Sequence, residues 1–239
     1  TLRGLAKSYG VSMTPAREVG GDLYDFFLLD AHRLFLLIGD VAGKGLGASM
    51  FMAVSKALVK SAALREAGST DIGLLLKAAN TEISRDNAAM FFVTVFAAIL
   101  DLDSGELAYC NAGHDNPIRV VPGGGPLRRI ADGDGPPLCV VDGFDYRGAR
   151  LRLQPGELLC LATDGIAEAQ DANGALYGHE RLEQTLLREA RPGAMAGDVL
   201  GALQADVAAF VGETEPADDL TLLCLRWMGL AGATVQRGR

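Results

Sequence analysis

The feature that most restricts the fold of this chain is a change of apolar period that occurs twice. Strand-like alternation covers 22–29 and 33–39, and Asp30-Ala31-His32 between them suits a short hairpin turn, which makes the pair antiparallel. The period then changes: Leu46, Met50, Val54, Ala57, Leu58, Ser61 and Leu64 fall on one face of a helix over 46–67. Ser69-Thr70-Asp71 offers side-chain oxygens to cap a second helix, whose stripe is Ile72, Leu75, Leu76, Ala79 and Ile83. Strand-like runs return at 91–100 (interrupted by Thr94), 106–111, 118–121, 127–130, 146–153 and 157–162, with a turn at Asp103-Ser104-Gly105, and read as an antiparallel meander. Helical period comes back at 180–188 and 195–210, 219–226 closes as an apolar strand, and 229–239 reads as a frayed tail.

Strands in runs and helices in pairs, without strand–helix–strand alternation, predict an α+β fold. About ten strands make two sheets packed face to face, and each helix pair covers one outer face. The expectation is a four-layer helix–sheet–sheet–helix sandwich with two mainly antiparallel sheets.

The 239 residues are 49% hydrophobic and 22% charged, enough to close a core without disulfides, and are read as one domain with its core at about 16–226. A net charge of −8 with no Lys/Arg stripe excludes nucleic acid as a partner. The longest apolar run is about half the roughly 20 residues that a bilayer requires, so no membrane contact is expected. Cys110, Cys139, Cys160 and Cys224 form no C-x-x-C pair and read as reduced thiols of a cytoplasmic protein. Thr1 at the start and the lack of a charged-then-apolar leader read as a fragment of something longer.

Four acidic segments stand at the ends of these strands: Gly20-Gly21-Asp22, Gly39-Asp40-Val41, Thr163-Asp164-Gly165 and Asp218-Asp219. Taken singly, each is explained as a turn, because Asp and Gly commonly end strands. Together they share one context, and a hairpin sets Asp22 beside Asp40. Carboxylates delivered from apolar runs onto a rim, with no Arg or Lys expected beside them in sequence, suit a hard divalent cation such as Mg²⁺ or Mn²⁺ and metal-assisted hydrolysis. A competing motif, Gly43-Lys-Gly-Leu-Gly-Ala48, fits a dinucleotide fingerprint after a strand. It lacks the prompt return to a parallel strand that such a unit requires.

Val19-Gly-Gly-Asp-Leu-Tyr-Asp25, Gly39-Asp-Val-Ala-Gly-Lys-Gly-Leu-Gly-Ala-Ser-Met50, Asn111-Ala-Gly-His114, Thr163-Asp-Gly165 and Asp218-Asp-Leu-Thr-Leu-Leu223 resemble a known motif series. It is that of the sporulation-phosphatase and sigma-regulator-phosphatase branch of the bacterial metal-dependent Ser/Thr protein phosphatases, the type 2C class. The resemblance runs in order from about Ala16 to Arg226. It implies two Mn²⁺ or Mg²⁺ ions that activate a water for attack on phosphoserine or phosphothreonine. Carried across, Asp40 bridges both ions, the Val41 carbonyl helps hold one, and Asp22, Asp164, Asp218 and Asp219 complete the shell, with catalysis resting on Asp40 and Asp22. Eukaryotic relatives carry a general-acid His two residues after the bridging Asp; this chain has Ala42, which leaves protonation to a metal-bound water or to Lys44.

Lys44, Arg17 and His114 are the substrate-binding candidates. Arg17 has the alternative of a solvated surface residue, and His114 that of a turn or packing role. Cys139 stands where the family often has Gly. The implied partner is a phosphorylated regulatory protein of the anti-sigma-factor antagonist type, with a second copy of the chain as a further partner. An upstream sensor, receiver or membrane-linked module is expected outside the fragment, and the latter would tether the domain to the inner membrane. The alternatives are a non-catalytic regulator-docking module and a nucleotide-binding domain acting through 43–48. The helix over 46–67, rich in Ala and Ser, reads as a regulatory switch or a plain core helix.

Overall fold

The computed structural model describes residues 7–14, 20–85, 87–121, 123, 125–131 and 133–229; Arg17 and residues 230–239 of the expected tail lie outside them. In chain order the elements are β1 (Lys7–Thr14), β2 (Asp22–Leu28), β3 (Arg33–Val41), α1 (Leu46–Arg65), α2 (Ile72–Ser84), β4 (Val93–Asp101), β5 (Glu106–Ala112), β6 (Ile118–Val120), β7 (Leu127–Arg129) and β8 (Asp134–Gly135). They continue with β9 (Ala149–Arg152), β10 (Leu158–Ala162), α3 (Asp164–Glu168), α4 (Gly178–Glu189), α5 (Ala196–Val211) and β11 (Leu220–Trp227).

One sheet has the order β1-β11-β10-β6-β7 and the other β2-β3-β4-β5-β8, with β9 also paired to β5. Every pairing is antiparallel except the short β5–β8 contact. The near-continuous apolar character of the central strands follows from burial on both faces. In β3, Phe35 and Leu37 face the core under α1 and α2, while Leu34, Leu36 and Ile38 face the other sheet. In β11, Leu222 and Cys224 face α4 and α5, while Leu223, Leu225 and Trp227 face the first sheet's partner across the middle layer. Three apolar layers thus separate four structural ones, as expected. The Asp71 side chain caps α2 by accepting from the Leu74 amide at 3.1 Å.

Three expectations need correction, and one strand, β1, was not anticipated. The strand-like runs of the middle do not form one meander, because β4, β5, β8 and β9 lie in one sheet and β6, β7 and β10 in the other. The strand expected over 146–153 shortens to Ala149–Arg152, since Gly148 packs so closely on Ile72 that a Cβ there would lie 2.7 Å from its Cγ2. β1, which Gly10 and scattered polar residues hide from any periodicity, runs along the whole of β11 from Lys7↔Trp227 to Thr14↔Leu220. The α1 face is also reversed: Leu46 (70%), Met50 (63%), Val54 (53%) and Leu64 (51%) are exposed, and Ala48, Ser49, Ser55, Val59, Ala62 and Ala63 are buried. Small side chains let α1 lie close to the sheet and α2, and its lysines straddle β2, with Lys60 2.8 Å from Asp25 and 4.4 Å over the Phe27 ring.

Candidate active site

The antiparallel hairpin puts the first residue of β2 beside the end of β3, so Asp22 and Asp40 are direct register partners. Thr94 of β4 stands opposite Asp40 on its other side. In the facing sheet, the end of β10 leads through Thr163 to Asp164 at the start of α3, next to Asp218-Asp219 at the entry to β11. All four acidic segments therefore meet at one end of the sandwich.

Asp22 is buried, and its Oδ2 accepts from the hydroxyls of Thr163 at 2.8 Å and Thr221 at 2.5 Å. Asp219 is buried too, and its Oδ2 accepts from the amides of Gly21 at 2.6 Å and Asp22 at 3.2 Å. Chain passage here requires glycine: a Cβ on Gly20 would lie 2.1 Å from Asp219 Oδ2. Thr94 Oγ1 accepts from the Asp40 amide and donates to the Asp40 carbonyl, both at 3.3 Å.

Burial and mutual repulsion shape the electrostatics. Burial pushes Asp22 up to about 8, against the two threonine hydroxyls and with help from Asp40 and Asp219. Asp40 is pushed up to about 7 by burial and then by Asp164, Asp218 and Asp219. Asp164 is raised by burial, Glu168 and Asp218. Contrary to the expectation of acidic segments without a basic neighbour, the described residues supply a counter-charge in Lys44, which follows Asp40 by four residues and whose Nζ lies 2.9 Å from Asp218 Oδ2 and 2.7 Å from the Ala217 carbonyl.

Among the described residues, no three His, Cys, Asp or Glu side chains are set to grip a single ion. A cradle is nonetheless visible at Gly21. The point its Cβ would occupy is ringed by Asp40 Oδ1 at 3.1 Å, the Val41 carbonyl at 3.2 Å and the Gly43 carbonyl at 3.7 Å. All these donors are oxygens, and crowded carboxylates are the groups a divalent cation relieves, so the donor set fits a hard metal ion.

The structure brings together Asp22, Asp40, Val41, Asp164, Asp218 and Asp219, with Lys44 at the rim. His114 is only 7% exposed, with Nδ1 3.2 Å from Thr94 Oγ1, and the Asn111 side chain accepts from its amide and donates to its carbonyl. These contacts hold His114 in a buried network beside Thr94, the register partner of Asp40. The dinucleotide reading also fails, because the loop after β3 leads into two successive helices and then an antiparallel strand. Sequence reasoning missed Thr94, Thr163 and Thr221, whose one signal is a hydroxyl residue set into or against an otherwise apolar run.

Residues 30–228 match the model of a protein family described as stage II sporulation protein E (SpoIIE). The chain belongs to the SpoIIE family. Among its relatives, Protein IcfG of Synechocystis sp. is 27% identical over 235 residues, covering 88% of this chain and 36% of its own length. Phosphoserine phosphatase RsbU of Bacillus subtilis is 27% identical over 221 residues, covering 92% of this chain and 63% of its own. This SpoIIE-family chain thus spans less than two thirds of either relative. The solved SiaA-PP2C domain of Pseudomonas aeruginosa shares its fold, with a TM-score of 0.77 at 22% identity over 91% of this chain and 85% of that one.

Proposed function

We propose that this SpoIIE-family chain is a metal-dependent protein phosphatase that hydrolyses phosphoserine or phosphothreonine on a regulatory protein of the anti-sigma-factor antagonist type. The observation that carries this reading is the meeting of Asp22 and Asp40 with Asp164 and Asp218 around oxygens only. The name of RsbU, a phosphoserine phosphatase, supports the class of substrate. Two Mn²⁺ or Mg²⁺ ions, held by Asp22, Asp40, Asp164, Asp218 and the Val41 carbonyl, would supply Lewis-acid activation of water and phosphate.

The chain's own residues do the rest. Asp40 takes the central place because Asp22 is its register partner in its own sheet, while Asp164, Asp218 and Asp219 of the facing sheet lie close enough to raise its pKa. Thr94 fixes its backbone from the neighbouring strand. Lys44 brings an ammonium to the rim, where a phosphate oxygen would compete with Asp218 for it. With Ala42 in place of a histidine, the leaving-group proton has no imidazole source in that loop. The free thiols at Cys110, Cys139, Cys160 and Cys224 support a reducing, cytoplasmic setting. Among the described residues, no helix is long and apolar enough to cross a membrane.

The test is hydrolysis of p-nitrophenyl phosphate and of a phosphoserine protein by the purified chain, with chelator and then with added Mn²⁺. Activity restored by Mn²⁺ is expected; equal rates under thorough chelation overturn the proposal.

A further inference from the structure

The two sheets exchange hydrogen bonds in both directions at one point. From β11 and the end of β10, Thr221 and Thr163 donate their hydroxyls to Asp22 Oδ2. From the entry to β2, the Gly21 and Asp22 amides donate to Asp219 Oδ2. The two threonines are themselves tied, with Thr163 N donating to the Thr221 carbonyl at 3.1 Å and Thr221 N donating to Thr163 Oγ1 at 3.2 Å. We propose that Thr163, Thr221 and Asp219 are positioning residues that form a reciprocal clasp on Asp22, and that Asp219 serves there as an anchor and not as an ion ligand. The second half rests on Asp22 being an ion ligand, as proposed above.

The adjacent carboxylates of Asp218 and Asp219 have opposite surroundings. Asp219 is 5% exposed, lies under the Gly20-Gly21 backbone and receives two amides on one oxygen. The Asp218 side chain is 39% exposed, with Oδ2 facing the half-exposed ammonium of Lys44 and Oδ1 accepting from the Asp219 amide. A carboxylate held by two donors on one oxygen cannot turn without losing both, so Asp22 presents a fixed face to Asp40. Thr163 directly precedes Asp164, and Thr221 follows Asp219 by two residues, so the same clasp sets the distance between the acidic segments of the two sheets. Groups that orient ligands in this way typically alter metal affinity by about 10–100-fold when removed.

An amide oxygen accepts from N–H as a carboxylate does, which separates anchor from ligand. In the 239-residue chain, Asp219→Asn should keep the Gly21 and Asp22 amides protected from hydrogen exchange and keep Mn²⁺ affinity by calorimetry within about twofold, while Asp218→Asn should lose about tenfold or more. Thr221→Val should lose a comparable factor in Mn²⁺ affinity, and Thr221→Ser should recover it. Asp219→Ala should lose the amide protection. If Asp219→Asn weakens Mn²⁺ as much as Asp218→Asn while the amides stay protected, Asp219 is a ligand and the anchor role is wrong. Unchanged exchange in Asp219→Ala, or unchanged affinity in Thr221→Val, overturns the clasp. A wild-type chain that binds no Mn²⁺ defeats the phosphatase reading instead, and the exchange data still decide the clasp.

Discussion

Replacing Asp40 by Asn removes a negative charge from a partly buried site where Asp164, Asp218 and Asp219 oppose it, so the metal-free chain should become more stable in a pH-dependent way. In the unfolded chain Asp40 titrates near its ordinary 3.8, whereas in the folded chain it is pushed up to about 7. The folded state therefore holds a proton that the unfolded state has released, and stability falls as pH rises through the window from about 4 to about 7. At about 1.4 kcal/mol per unit, the ionised folded chain carries a penalty of about 4 kcal/mol from this group above pH 7, and about 1.5 kcal/mol at pH 5. Asp40→Asn should thus gain about 2–3 kcal/mol relative to the wild type between pH 5 and pH 8, or about 5–10 °C in Tm for a chain of this size. Any cost of burying the amide is the same at both pH values and cancels, as does the titration of His114. Asp40 is also among the groups that raise Asp22, so its removal eases ionisation there and adds to the gain at the alkaline end. The assay is urea unfolding of both proteins in chelator across this range. A stability difference that stays flat with pH refutes the electrostatic account of the site. With Mn²⁺ present, the order should reverse if Asp40 is an ion ligand as proposed, because the variant has lost that carboxylate.

The buried His114 ring is pushed down to about 4, chiefly by burial, so its stabilising effect is present above the ordinary 6.5 and lost as pH falls towards 4; an NMR titration midpoint above 6 would contradict this. Gly165→Ala would set a Cβ 2.0 Å from the Asp219 carbonyl and should cost about 3 kcal/mol or more, whereas Gly201→Ala, in α5 with nothing within 4 Å, should gain about 0.5–1 kcal/mol; both are read by denaturant midpoints. Cys139 has φ 71°, the left-handed conformation that glycine adopts without cost, so Cys139→Gly should be about 1 kcal/mol more stable than Cys139→Ala, and equal stability would show that the backbone there carries no strain.

The layers were legible because period and length report burial directly. β3 and β4 read as strands since both faces are apolar, and α2 read correctly because Leu75, Leu76 and Ala79 outweigh everything on its other side. α1 misled for the opposite reason. A hydrophobic scale ranks Leu46 and Met50 above Ala62 and Ser55, yet contact with a sheet and a neighbouring helix rewards small side chains that permit close approach. The threonines of the site were illegible because Thr is an ordinary strand residue, and nothing local distinguishes Thr221, with its hydroxyl on Asp22, from a threonine that merely fits a pleat.

The convergence of the four acidic segments follows from strand direction more than from any motif. A strand buried on both faces meets water at its ends, so a carboxylate in such a chain is pushed to one end of the sandwich or the other. Antiparallel pairing then sorts the ends: the start of β2 must lie with the end of β3, and the end of β10 with the start of β11. Asp22 and Asp40 are thereby joined, as are Asp164 and Asp218-Asp219, with no reference to chemistry. What the hairpins leave undetermined is whether the two acidic ends share a side of the molecule. That depends on how the sheets pack through the apolar layer between them, and the outcome is seen in contacts 141 to 199 residues apart in the chain, the Thr163 and Thr221 hydroxyls on Asp22 and the Gly21 amide on Asp219. The long-range bonds that join the two acidic ends are the same ones that hold the ligand candidates, so a substitution that loosens the join must be felt in the site.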